Sequence, residues 1–201
     1  ILKEKSGFSE LFLKPFLVKF LRGKVLHDDG SLSKIRGINL SFENYEPLWE
    51  KYRKVFPPVA VVRDYRYLQW RYGSCPISNY RLFGYFEKRK LTGLVVLKIY
   101  IEKDQKGKIK EKRGHLLEIF CDSEKVFQEL IEFSESFFLR NKVQIISWWA
   151  APKSSLWKWG LESGFHFMNG DTGVLVKLKN PRLRLKGNFD FFVSMGDSDV
   201  Y

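Results

Sequence analysis

Residues 143–165, VQIISWWAAPKSSLWKWGLESGF, decide how the rest of the chain is read. An apolar run to Ala150 breaks at Pro152, and a short helix-like segment then closes on Gly164 and Phe165. Directly upstream stands HLLEIFCDSEKVFQELIEFSESFFLRNK. Residues 115–121 carry a single acidic group, Glu118, in an otherwise apolar run, which predicts a strand buried on most of both faces. Asp122 and Ser123 offer N-cap oxygens. Val126, Phe127, Leu130, Ile131, Ser134, Phe137 and Phe138 then recur at three- and four-residue spacing, the pattern of an amphipathic helix. Arg140, Asn141 and Lys142 suit the negative end of its dipole. A helical crossover returns the chain in its original direction, so residues 143–150 are expected as a strand parallel to residues 115–121. Ser154 or Ser155 caps the next helix, and Gly164 is placed to end it in a left-handed conformation.

Outward from this unit, residues 80–86 and 91–101 are aromatic and β-branched runs joined by a short basic loop, which predicts an antiparallel hairpin. Residues 103–114, KDQKGKIKEKRG, read as a charged loop or as the solvated tip of a longer hairpin leading back into His115. Residues 173–178 and 189–195 read as two further strands. Residues 45–55 and 64–72 read as helices separated by Pro57-Pro58, after a first strand at residues 35–42. The sum is a mixed sheet with helices on its faces.

This order, and above all a strand and helix followed by a strand whose next helix ends in Gly164-Phe165, resembles the GCN5-related N-acetyltransferase (GNAT) fold. RDYRYLQWRYG at residues 63–73 and the ending FFVSMGDSDVY resemble segments of a divergent, polysaccharide-associated branch of that superfamily. That branch is distantly similar to the peptidoglycan aminoacyltransferases, which pair two such domains. The resemblance covers residues 36–201 and implies an α+β domain. Its sheet would be mixed and mostly antiparallel, with helices on both faces and a central parallel pair that splays apart. It implies acetyl-CoA or a related acyl-CoA as co-substrate, and N- or O-acyl transfer to an amine or hydroxyl on a glycan or peptide. Two alternatives stay open: a non-catalytic domain of a larger two-domain protein, and an aminoacyltransferase that takes its donor from tRNA.

The resemblance also fixes where to look for chemistry. Glu118 interrupts its strand where the family often places a carboxylate, making it the candidate general base, with a solvent-facing or arginine-paired glutamate as the plain structural reading. The donor would lie against Ile119, Phe120 and Cys121, with Ser123, Lys125 and Ser154 as polar candidates. Active relatives carry a glycine-rich turn here whose bare amides hold the pyrophosphate. This chain has Cys121-Asp122-Ser123-Glu124-Lys125 instead, with two carboxylates that would repel one. The tyrosine that reprotonates the thiolate in many relatives corresponds to Gly160. Trp148, Trp149 and Trp157 are read as core or as wall of the substrate cleft, which Asp197 and Asp199 would line if the terminal strand ends nearby. The lone histidines and the Asp197-Ser198-Asp199 turn do not form a metal-ligand pattern, so no metal is expected.

Composition frames these expectations. The chain has 201 residues, 44% hydrophobic, which suffices for one full core and falls short of two ordinary domains. Its formal net charge of +12 favours anionic partners. The basic residues fall in several patches, Arg63, Arg66 and Arg71 among them, read as a solvated face without a nucleic-acid motif, so RNA is not expected outside the tRNA alternative. Residues 1–35 are read as a connecting or docking segment, with residues 8–21 as its helix despite Pro15. That stretch is too short and too charged to span a bilayer. With two cysteines and no evident secretory signal, a cytoplasmic or membrane-peripheral location is expected. The start on Ile1 suggests a longer parent carrying a second related domain.

Overall fold

The computed structural model describes residues 3–5, 8–13, 16–21, 34–54, 60–75, 79–152, 154–168, 174–177 and 192–197. In chain order these give β1 (Lys3–Lys5), β2 (Phe8–Leu13), β3 (Phe16–Phe20), β4 (Ile35–Gly37), α1 (Phe42–Tyr52), α2 (Tyr65–Leu68), β5 (Arg81–Glu87), β6 (Lys90–Lys103), β7 (Ile109–Cys121), α3 (Glu124–Arg140), β8 (Ile145–Trp149), α4 (Ser155–Glu162), β9 (His166–Phe167) and β10 (Val174–Lys177). A π-helical turn, Gln69–Gly73, extends α2, and a 3-10 turn, Met195–Asp197, follows the last strand.

Among the described residues, a seven-stranded sheet runs β4-β5-β6-β7-β8-β3-β9, and β1, β2 and β10 form a separate three-stranded sheet. Every pairing in the large sheet is antiparallel except β7 with β8. That central parallel pair is the one the helical crossover dictates. Helix α3 starts on its Ser123 cap and turns Val126, Phe127, Leu130, Ile131 and Phe138 onto one face of the sheet, where α4 adds Leu156. Helix α1 presents Tyr45, Leu48, Trp49 and Tyr52 to the opposite face, one turn apart along its axis.

One irregularity positions the site. Val96 of β6 lies opposite Glu118 of β7, and Leu97 lies opposite Leu116, so Leu117 is an extra residue. This β-bulge bends β7 and sends Leu117 and Glu118 toward the same face, that of α1 and α2. The parallel ladder to β8 ends at Leu116 and Trp148, immediately before the bulge, while β7 runs on to Cys121. Beyond the bulge the two strands part.

Three expectations need correction. Residues 8–21, read as a helix, contain strands β2 and β3. Phe16, Leu17, Val18 and Phe20 favour extended backbone once both edges of the strand are paired, and β3 is paired on both sides, by β8 and β9. Lys19 of β3 is ion-paired to Glu135 of α3 and donates to the Ser163 carbonyl at 2.6 Å, fastening the strand to two helices. The segment upstream of residue 36 thus contributes a strand to the sheet. The strand expected at residues 189–195 lies partly outside the described residues; from Phe192 the chain is irregular and ends in the 3-10 turn. Finally, Arg63, counted with a surface basic patch, is wholly buried.

Candidate active site

Glu118 is fully buried, and the chain surrounds it with partners from two separate segments. Arg63 precedes α2, whose cap Asp64 accepts from the Tyr67 amide at 2.9 Å. Its Nε donates to both Glu118 oxygens at 3.1 Å. Its Nη2 donates to Asp197 Oδ2 at 2.6 Å and to Ser194 Oγ at 3.0 Å, and its Nη1 donates to the Val61 carbonyl at 2.8 Å. The guanidinium also lies over the Phe192 ring, 4.6 Å from its centre. The π turn adds a residue to the last helical turn and directs Tyr72 at the sheet, where its hydroxyl donates to Glu118 Oε1 at 2.9 Å. From the C-terminal side, the turn at Ser194–Asp197 closes over the carboxylate, with the Ser194 amide donating to Asp197 Oδ2 at 2.9 Å. Gly196 is required there. A Cβ would stand 2.1 Å from Tyr72 Oη and 2.3 Å from Glu118 Oε1.

Burial raises the Glu118 carboxyl above its usual value, and the Arg63 charge pulls it back part of the way. Arg63 loses hydration by burial but is held charged by Glu118 and Asp197. Burial and the Glu118 charge push the Tyr72 phenol well up, so it remains a neutral donor. Tyr72 also belongs to the wall of a groove of about 970 Å³ along the start of β5, and it connects that groove to Glu118.

The segment RDYRYLQWRYG and the described part of FFVSMGDSDVY therefore meet at Glu118, through Arg63 and Tyr72 on one side and Ser194, Gly196 and Asp197 on the other. Sequence reasoning nominated Glu118 and Asp197 but missed Arg63, Tyr72, Ser194 and Gly196. The available signal was an isolated carboxylate in an apolar strand, which demands a cation, together with two segments already singled out. Asp199 lies outside the described residues.

A solved GCN5-related N-acetyltransferase from Anabaena variabilis ATCC 29413 superposes with a TM-score of 0.50 at 10% identity, over 86% of this chain and 38% of that one. The chain has the GNAT fold. Yeast N-myristoyltransferase with bound myristoyl-CoA (TM-score 0.49, 10% identity) matches over 68% of this chain and 43% of its own. A GNAT-family protein from Novosphingobium aromaticivorans DSM 12444 (TM-score 0.45, 13% identity) matches over 81% of this chain and 63% of its own. This chain thus spans less than half the length of the first two proteins. No protein-family model and no curated protein matches it.

In this GNAT fold the residues nominated for the donor lie along the end of β7 and the starts of α3 and α4. Ile119, Phe120 and Cys121 have buried side chains, and burial raises the Cys121 thiol far above its ordinary value. Ser123 Oγ accepts from the Val126 amide at 3.4 Å and Ser154 Oγ from the Trp157 amide at 3.1 Å, so both hydroxyls serve as helix caps. Lys125 is exposed. Asp122 is ion-paired to Lys51 of α1, which offsets one of the two carboxylates expected to repel a phosphate. Gly160 leaves no room for the missing tyrosine: its Cβ would lie 2.5 Å from Trp148 Cζ3. Trp148, read as cleft wall or core, is core, packed between Phe127 and Phe165. Trp149 is buried against the other face, and Trp157 is half-buried beside Phe167. Among the described residues, no cluster of His, Cys, Asp and Glu could hold a metal ion, and no helix is long and apolar enough to cross a membrane.

Proposed function

We propose that this domain transfers an acyl group, acetyl being the simplest, from an acyl-CoA or another activated donor to an amine or hydroxyl on a sugar or peptide. The reading is supported by one arrangement: within a GNAT fold, β7 and β8 part at the bulge that carries the buried carboxylate Glu118. The donor's pantetheine arm lies along the backbone of Ile119, Phe120 and Cys121, with Ser123, Lys125 and Ser154 at the neighbouring helix starts. The acceptor enters through the groove beside Tyr72. Its nitrogen or oxygen attacks the thioester carbonyl, the carbon–sulfur bond breaks, and the acyl group remains on the acceptor. Because Glu118 is sealed from solvent, the acceptor's proton passes to the Tyr72 oxygen while the Tyr72 proton passes to Glu118. The leaving thiolate takes a proton from solvent, since Gly160 has none to give, and once the product leaves Glu118 returns its proton to solvent through Tyr72. Arg63 is a positioning residue that orients Glu118 and favours its ionised form.

The test is thiol release from acetyl-CoA with a panel of amine and hydroxyl acceptors. Tyr72→Phe and Glu118→Gln should each lower kcat by about 10²-fold with little change in KM. Full activity in both variants would overturn the mechanism.

A second reading has its own support, because Glu118 is enclosed and the turn at Cys121–Lys125 lacks glycine. On that reading the domain is the acceptor-recognition half of a larger protein. Calorimetric titration with acetyl-CoA separates the two: binding favours the catalytic reading, and a flat titration favours the recognition half.

A further inference from the structure

We propose that the groove beside Tyr72 is a binding site for an acidic sugar chain. At about 970 Å³ it stands at the upper end of small-molecule sites, with room for several sugar rings. Its wall includes Arg81 and Lys112 and, among the described residues, no carboxylate, so its field favours an anion. Four side-chain amides stand along it, from Asn39, Gln69, Asn79 and Asn141. Gln69 already donates to Ser74 Oγ and Asn141 to the Phe137 carbonyl, but each amide keeps a second N–H donor beside its carbonyl acceptor, which matches a hydroxyl that also donates and accepts. Tyr80, half-buried in the wall, supplies aromatic surface with a polar tip, suited to the apolar C–H face and hydroxyl rim of a pyranose.

An extended peptide fits less well. β5 is already covered, since β4 pairs with Phe83 to Tyr85 and the Ile38 amide donates to the Leu82 carbonyl at 3.1 Å, and the edge left among the described residues is that of β4, only three residues long. That leaves side-chain recognition, for which the amides, cations and phenols are arranged. The groove shares Tyr72 with Glu118, so a sugar hydroxyl or amine bound at that end lies beside the proposed proton relay. The sugar's role as acceptor rests on the acyl-transfer reading; its binding does not.

The experiment is calorimetric titration of the chain, without donor, using a galacturonate hexamer, a neutral maltohexaose, a hexaglutamate peptide and a single-stranded RNA. The galacturonate hexamer should bind best. Arg81→Gln with Lys112→Gln should weaken it by at least about tenfold, while Lys88→Gln with Lys90→Gln, at the far end of the same hairpin, should change it less than about twofold. Asn79→Leu should weaken both sugar ligands, with unfolding temperature confirming that each variant is folded. Absence of galacturonate binding, equal effects of the two basic pairs, or tighter binding of the peptide or RNA would overturn the proposal. Acetyl-CoA is titrated separately. Sugar binding without acetyl-CoA binding would sink transfer from acetyl-CoA and leave the groove's assignment standing, and the reverse result would sink only the groove.

Discussion

Arg63 places Nε 3.1 Å from each carboxylate oxygen of Glu118, with both side chains fully withdrawn from solvent. Such a pair adds little net stability compared with an apolar replacement of both partners, but losing one partner strands the other. Arg63→Met should therefore cost about 3–5 kcal/mol. The pH dependence identifies the stranded group. Burial raises the Glu118 carboxyl, and removing Arg63 raises it further. A carboxyl raised in the folded state contributes stability below its unfolded value and loses it as pH climbs through the folded value. Urea unfolding should therefore show the Arg63→Met defect growing as pH climbs above the usual carboxylate range.

Gly196→Ala should destabilise the chain by about 1–3 kcal/mol, because a methyl group there collides with Tyr72 and Glu118. Gly37→Ala, where nothing lies within 4 Å, should be tolerated. Equal unfolding midpoints for the two variants would show that the turn at Ser194–Asp197 does not seal the carboxylate.

His115 gives a second pH signature, of opposite sign. Burial, then the charges of Lys98 and Arg113, lower its imidazole to about 4 from the usual 6.5. Below its ordinary value the unfolded chain takes up the proton first, so stability falls as pH drops from about 6.5 toward about 4. The loss over that window should approach about 3 kcal/mol. His115→Phe should flatten this acid limb, as read from unfolding midpoints across the window.

Coenzyme A affinity should respond unequally to the two acids of the turn before α3. Asp122 is paired with Lys51, so Asp122→Asn should change affinity by less than about twofold, whereas Glu124→Gln should raise it a few-fold. Lys51→Gln should weaken binding by exposing the Asp122 charge. Calorimetry on the three variants checks the order.

What was legible in the sequence was local. The Ser123 and Ser154 caps, the spacing from Val126 to Phe138, and the left-handed Gly164 that ends α4 all depend on neighbours within a few residues. The parallel direction of β7 and β8 follows from the helix between them. What was not legible depends on distant partners. Phe16–Phe20 is a strand because Ile145–Trp149 and His166–Phe167 stand on either side of it. Arg63 is buried because Glu118 and Asp197 receive it, and nothing in its own neighbourhood announces that. The bulge at Leu117 leaves no mark in a run whose residues are apolar on both faces apart from Glu118, yet it decides which face Glu118 addresses.

The position of β3 bears on how the molecule assembles. Its anchoring ion pair joins Lys19 to Glu135, 116 residues apart in sequence, and its two neighbours β8 and β9 come later still than α3. During synthesis this apolar arm must wait while most of the chain is made, and closing the sheet is a late step across a long loop. A second copy of this chain carries the same strand with the same Lys19. At high concentration during refolding, the arm of one molecule can complete the sheet of another, giving an exchanged dimer with the same contacts and no new interface chemistry.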